Sequence, residues 1–455
     1  MDLLDRMQEA LKRKRGDYAE LRLERVSSSG LSFRGPELDS IGTSRSVGGI
    51  ARVMVKGGWG LTTFNDIEDL EARLDQAYDC ARLVGNETSQ LAEVEPAVDD
   101  VPAQLEGDFR GISLDEKRKL AEEYNNIILK HSEKIQTTSV SYSDHFREVF
   151  FANSEGTAIR QERPDCSMYL SATARDGDNT QRGFEGIASC KGYSAVLNAH
   201  HRAVAAAQRA VDLLSAPKVR GGQYTVVLNQ RLAGVFAHEA FGHLSEADHL
   251  YENPKLQEIM VLGRRFGSDI LSIGDDGSVD GLRGTMKYDD EGVRTRRNYL
   301  IKDGILVGRL HSRETAAKLK EPPTGNARAV NWRYEPIVRM TNTFIDPGDS
   351  SFEEMISDID EGIYALDMFG GQTMVEMFTF SAAYAYMIRN GQIAEMVRDV
   401  TLSGNVFETL LNVEALGNDF RWSQAGGCGK GGQSPLPVTF GSGSMRIRNV
   451  VVGGA

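Results

Sequence analysis

Asn229-Gln230-Arg231-Leu232-Ala233-Gly234-Val235-Phe236-Ala237-His238-Glu239-Ala240-Phe241-Gly242-His243-Leu244 reads as a capped, buried helix that carries chemistry. Leu232, Phe236, Ala240 and Leu244 recur every fourth residue, a stripe that packs a helix on a core. Asn229 is placed to cap the first turn, and a strand at 224–228 precedes it. The remainder of the chain is rich in glycine and in strand candidates, at 304–310, 339–345, 362–366, 373–380, 383–388, 397–403 and 445–452. Lys302-Asp303-Gly304 and Arg389-Asn390-Gly391 suit hairpin turns. Residues 222–455 are therefore expected to form a large β-rich domain carrying a metal-site helix.

The same helix presents His238, Glu239 and His243. Residues i and i+4 share a helix face, but i and i+5 lie about 140° apart on an ideal α-helix. These histidines can chelate one ion only if the helix widens, as in a π-bulge, a distortion frequent at functional sites. Gly242 is expected to ease it. A bulged helix supports a metal site, and a straight one supports two unrelated helix histidines. Catalytic zinc takes three protein ligands and leaves a position for water. Glu239 is then the candidate general base. Cys428, within Gly426-Gly427-Cys428-Gly429-Lys430-Gly431-Gly432, has the best context for a third ligand, because glycines allow close backbone approach. Cys80 reads as a small core residue of an amphipathic helix, and Cys166 and Cys190 as structural. Glu246 is open to two readings, a carboxylate behind the ligands or a solvated helix end. Asp275-Asp276-Gly277 and Asp289-Asp290-Glu291-Gly292 read as turns, lacking the full calcium-loop pattern.

The first half has a helix–sheet–helix order twice. A helix over 2–14 leads into strands at 19–24, 31–33, 46–55 and 60–64, then a helix from 67 to 81, which makes an α+β unit over 1–87. An acidic linker rich in Pro and Ala spans 88–112. A second unit over 113–215 opens with a Ser113/Glu116 capping box. It continues through strands at 137–143, 147–152, 157–163 and 168–175 to an Ala-rich helix from about 194 to 214. The fold class expected is α+β: N-terminal helix and antiparallel-sheet units, then the β-rich C-terminal domain.

Composition limits the function. The net charge of −13 over 455 residues argues against nucleic acid, whose phosphates call for a basic surface. No stretch of about 18 apolar residues is present, so no membrane span is expected. The N-terminus lacks the apolar run of a signal peptide, and four cysteines in so long a chain make no disulfide framework. The expected setting is the cytoplasm.

With these motifs in place, the chain resembles the TldD/PmbA family of metallopeptidases. The resemblance rests on His-Glu-Ala-Phe-Gly-His at 238–243 and on Cys428 in Cys-Gly-Lys-Gly-Gly-Gln. Arg283-Gly284-Thr285 with 289–292, Thr324–Arg328 and Arg339–Thr343 also carry it, as does the terminal Val452-Gly453-Gly454-Ala455. It spans essentially the whole chain and is closer to the metal-bearing, TldD-like subunit. It implies His238, His243 and Cys428 as Zn2+ ligands and Glu239 as base. It also implies a heterodimer with a ligand-free PmbA/TldE-like subunit, or a homodimer. The implied activity is hydrolysis of unfolded or small peptides, in antitoxin turnover or leader-peptide processing. Asn326, Arg339 and Asn342, from the resembling segments, are candidate substrate-binding residues. Two alternatives stand beside this: a non-catalytic regulatory or assembly subunit with a structural metal site, and a small-molecule amidase.

Overall fold

The structure, a computed structural model, describes residues 2–13, 15–84, 89–251, 253–374 and 376–454. Residue 14 of the expected first helix, the expected boundary at 87/88 and residue 375 of the expected strand 373–380 lie outside the described residues.

The first half is α1 (Leu3–Leu11), β1 (Tyr18–Arg34), β2 (Glu37–Val55), β3 (Gly58–Phe64), α2 (Leu70–Val84), β4 (Val98–Val101), α3 (Leu114–Leu129), β5 (Ile135–Asn153), β6 (Ala158–Asp176), β7 (Asn179–Ser189) and α4 (His200–Ser215). Its seven strands make one sheet in the order β3-β2-β1-β5-β6-β4, with β7 also on β6. β1 pairs antiparallel with β2 on one side and with β5 on the other, from Glu20↔Asn153 to Arg34↔Ser139. α3 starts at the expected capping box, where the Ser113 hydroxyl accepts from the Glu116 N–H.

The strands are longer than their apolar periodicity suggests. The expected strands at 137–143 and 147–152 are both part of β5, and those at 157–163 and 168–175 are both part of β6. In β5 the apparent break is Asp144. It is buried because Lys117 Nζ donates to it at 2.7 Å and the Tyr142 hydroxyl does so as well. In β6 the apparent break is Pro164. β4 pairs with residues 158–161, and the pairing with β7 starts at Cys166. Pro164 therefore sits where one flank is unpaired and its missing N–H costs nothing. The expected helix 194–214 begins only at His200, after a short 3-10 turn over Tyr193–Val196 and a left-handed Asn198.

The C-terminal region is β-rich. β8 (Gly222–Leu228) lies inside a seven-stranded sheet, parallel to the strand Glu361–Met374 and antiparallel to Met445–Gly454. A six-stranded sheet contains Ile273–Asp276, Asn342–Ile345 and Thr439–Ser442. α5 (Gln230–Ala237) contacts strands of both sheets, and Phe440 packs on Gly234, where a Cβ would lie 3.0 Å away. Of the expected 304–310 strand only Ile305–Leu306 forms, and of 339–345 only Asn342–Ile345, with a separate short strand, Ile337–Val338, just before it.

The acidic runs expected as turns are interior features. Asp275 and Asp276 end a strand and are buried, and Asp289, Asp290 and Glu291 form a buried turn. Their carboxylates are occupied from inside. Asp289 accepts backbone N–H groups of Glu291, Val293 and Ala327, and Asp290 pairs with Arg163 at 2.8 Å and Arg22 at 3.3 Å. Glu291 pairs with Arg52, which also holds Glu20. Several of these pairs join the N-terminal sheet to the C-terminal region.

Candidate metal centre

Asn229 caps α5, its side chain accepting from the Leu232 N–H at 2.9 Å. After Ala237 the helix widens into a π-helical turn over His238–Gly242, in which the His243 N–H donates to the His238 carbonyl. Its hydrogen bond spans five residues where that of an α-helix spans four. It aligns His238 with His243, whose ring centroids are 5.1 Å apart. Gly242 itself has ordinary helical angles, φ −57° and ψ −52°. Its contribution is space, since a Cβ there would lie 2.1 Å from Met340 Sδ.

Cys428 arrives from the far end of the chain on the strand Gly427–Lys430, hairpinned with Gln433–Pro437. Its Sγ lies 3.4 Å from His243 Nε2, and the donor atoms of His238, His243 and Cys428 all fall within 4.8 Å of one another. His238 is fully buried and its Nε2 has no hydrogen-bond partner. A buried polar nitrogen left unpaired costs about 1–3 kcal/mol, so a cation between these three donors fits the site. Two imidazoles and a thiolate form a zinc-type donor set, unlike the oxygen-rich sets of magnesium or calcium.

Both imidazoles are held from behind. His238 Nδ1 lies 3.2 Å from Thr343 Oγ1, which donates to Asp275 at 3.3 Å. Asp275 also accepts from the Thr341 N–H at 2.8 Å and from Asn326 Nδ2 at 2.9 Å. A hydrogen on Nδ1 leaves the Nε2 lone pair free for a metal. His243 Nδ1 lies 2.9 Å from Glu246 Oε2, to which Lys430 Nζ donates at 3.1 Å. Lys430 also donates to Asp248 at 2.6 Å. Glu246 is fully buried against His243, which rules out the reading of a solvated helix end.

The electrostatics suit a thiolate. Burial alone would push the Cys428 thiol up, but His238 and the hydrogen bond with His243 bring it down to about 4. Burial alone would lower His243, but the Glu246 carboxylate and then Cys428 outweigh it and raise it to about 11. Burial would likewise raise Glu246, and His243 and Lys430 instead bring it down to about 2. Glu239 projects from the π-turn with its side chain 27% exposed and its Oε2 3.9 Å from His243 Nε2.

The other singled-out residues lie elsewhere. Asn326, Arg339 and Asn342 are buried at 1%, 0% and 0% exposure. Asn326 donates to Asp275 and to the Arg339 carbonyl, Asn342 to the Asp276 carbonyl, and Arg339 to the Gln433 carbonyl. Cys80 is exposed on α2, whose buried face is Leu70, Leu74, Ala77 and Ala81. Sequence reasoning did not single out Thr343, Asp275 and Lys430 as supports of the donors. Thr343 and Lys430 lie inside motif segments, but no spacing rule links them to the histidines.

Comparison with known proteins places this geometry. The PmbA/TldA metallopeptidase C-terminal domain matches residues 221–454, the central domain 107–215 and domain 1 residues 19–81. A metalloprotease of Synechocystis is 50% identical over 96% of this chain and 95% of its own length. A zinc metalloprotease TldD homolog of Saccharolobus solfataricus is 34% identical over 70% and 72%. TldE from Thermococcus kodakarensis, 18% identical, superposes over the whole of both chains with a TM-score of 0.78, which shows a shared fold. No helix among the described residues is long and apolar enough to cross a membrane. The widened helix, the thiolate brought to it and these matches agree: the chain belongs to the TldD/PmbA family and is a metallopeptidase.

Proposed function

We propose that the chain is a zinc-dependent peptidase acting on unfolded or small peptides, with His238, His243 and Cys428 as ligands and Glu239 as general base. The observation that carries this reading is the buried, unpartnered Nε2 of His238, grouped with His243 Nε2 and Cys428 Sγ. Bound there, zinc supplies a Lewis acid that lowers the pKa of a water and polarises a carbonyl. Thr343 holds the tautomer of His238, and Glu246 orients His243. Glu239, partly exposed beside the donors, takes a proton from the attacking water and returns it to the leaving amine. General acid–base help of this kind is worth about 10²–10⁴-fold.

Among the described residues the donor group has three members, which leaves a position for water. That favours catalysis over a closed structural site. An extended substrate pairing with a sheet edge reads little sequence, which suits antitoxin turnover or leader-peptide removal. Assembly with a ligand-free PmbA/TldE-like subunit, or as a homodimer, completes the proposal, and the fold shared with TldE supports such a pair. The four cysteines, free in the structure, agree with a reducing cytoplasm.

The test is metal analysis of the purified protein together with cleavage of an unfolded-peptide library, alone and with a candidate partner. Stoichiometric zinc and cleavage are expected, and Glu239→Gln keeps the zinc but loses cleavage by about 10²–10⁴-fold. Full cleavage by Glu239→Gln removes Glu239 as base. Zinc without cleavage in any assembly transfers the site to the structural alternative.

A further inference from the structure

A cavity of about 870 Å³ lies where the N-terminal sheet meets the C-terminal region. None of the proposed zinc ligands lines it. Pro435, Leu436 and Pro437 do, and Leu436 pairs across the hairpin with Cys428. The cavity therefore rests against the element that delivers the thiolate. Its volume lies within the range of ligand pockets, about 300–1,000 Å³.

The lining is cationic in a protein whose net charge is −13. Arg147, Arg163, Arg294, Arg328 and Arg333 all contribute to it. The acids of the wall are already engaged: Asp290 takes Arg163 at 2.8 Å and Arg22 at 3.3 Å, Asp165 takes Arg283 at 2.6 Å, Asp280 takes Lys191 at 2.6 Å and Glu162 takes Arg160, while Arg147 is held by Glu24 behind the wall at 2.9 Å. Arg294, Arg328 and Arg333 have no carboxylate partner among the described residues. Arg328 is the most informative. It is 5% exposed, and its two terminal nitrogens donate only to the Met340 and Pro437 carbonyls. Arg339 beside it is fully buried, with Nε and Nη2 unpartnered. Burial, and then the charge of Arg339, pull Arg328 down to about 9. Buried positive charge without a counter-ion is costly, and an incoming anion relieves it.

The wall is also fixed in place. Trp332 lies on β2 at Gly48, where a Cβ would sit 2.4 Å from the indole. Arg22 donates to the Asn331 and Tyr334 carbonyls, tying that loop to β1. Guanidiniums held in this way match carboxylates through paired N–H donors.

We propose that this cavity is a binding site for peptide carboxylates, recruiting acidic peptide segments to the protein. The inference rests on the peptidase reading for its biological purpose, but not for its test. The carboxylates have two sources, the acidic groups of Asp and Glu or the free carboxyl end of a peptide. An acidic peptide is repelled by the protein's overall charge, so a preference for one requires a local site.

The test uses the full-length Glu239→Gln protein and fluorescein-labelled Gly/Ser peptides. One carries four Glu, one has Gln in their place, and each is made with a free or an amidated C-terminus. Binding is read by fluorescence anisotropy. The expected result is at least about tenfold tighter binding of the Glu peptide, or of the free-terminus peptide over its amide, weakening with salt. The first pattern identifies the Asp and Glu groups as the source and the second the terminal carboxylate. Arg294→Gln with Arg333→Gln, both at exposed positions, reduces either preference, and Arg328→Gln abolishes it where thermal melts show that it folds. Equal affinity for all four peptides, or a preference that survives the exposed double substitution, overturns the proposal. Because no cleavage is read, failure of the peptidase reading leaves this result interpretable.

Discussion

Thr343→Val isolates the support behind His238. Valine keeps the shape of threonine but cannot accept from His238 Nδ1, now 3.2 Å from the hydroxyl. The site is fully buried, so water does not replace the lost partner. Asp275 keeps its bonds from the Thr341 N–H and from Asn326, which confines the damage to the imidazole. An unsatisfied buried N–H costs about 1–3 kcal/mol. Loss of a partner behind a metal ligand typically weakens binding by about 10–100-fold, or about 1.4–2.7 kcal/mol. Zinc affinity, measured by competition with a chromogenic chelator near neutral pH, should therefore fall by that factor. Thr343→Ser, which retains the hydroxyl, should bind as the unsubstituted protein does. If Thr343→Val binds zinc within about twofold of the parent while melting normally, the hydrogen bond neither orients His238 nor sets its tautomer, and the reasoning fails.

Gly242→Ala places a methyl against Met340 Sδ and should destabilise by about 1–3 kcal/mol, seen as a lower thermal midpoint. Adding Met340→Ala should recover part of the alignment, and identical zinc affinity in the parent and Gly242→Ala proteins would show that the close approach is irrelevant to the site. Chelation should lower the melting temperature, because a bound ion at 1,000 times its Kd stabilises by about 4 kcal/mol. In Cys428→Ser that shift should largely vanish, and a full shift there removes Cys428 from the ligand set. At Asp290, burial alone would raise the carboxyl, but Arg163, Arg22 and Arg147 outweigh it and hold it well below the usual carboxylate range. The unfolded chain then takes up the proton first as pH falls, so the stabilisation present near neutrality is lost below about pH 4. Asp290→Asn should be much less stable than the parent at pH 7, and the gap in urea midpoint should narrow in acid. A gap independent of pH refutes the assignment.

What could be read from the sequence follows from how local each feature is. The apolar stripe of Leu232, Phe236, Ala240 and Leu244, the Asn229 cap and the five-residue histidine spacing are local; the spacing made a widened helix the mark of a shared site and a straight one the mark of unrelated histidines, and the widened helix forms. Long-range features were legible only when a residue type is rare, as a glycine-flanked cysteine is. Charges facing inward escaped periodicity. Asp144 resembled a strand end, and Asp275, Asp290 and Glu291 resembled solvent turns, because the partners that permit their burial lie far away in sequence. Gly242 illustrates the same limit. A glycine signals backbone freedom from sequence, whereas here the decisive neighbour is Met340, on another segment.

The distance between the donors along the sequence has a consequence for synthesis. His243 and Cys428 are 185 residues apart, and β8, just ahead of the histidine helix, has Met445–Gly454 as one of its partner strands. On the ribosome the imidazoles emerge early, into a sheet that still lacks that neighbour, and the thiolate follows only shortly before the strand that fills the gap. On the proposed ligand set, hydrolytic competence and completion of the domain thus arrive together, because a polypeptide that ends before Cys428 carries both imidazoles and Glu239 but no thiolate.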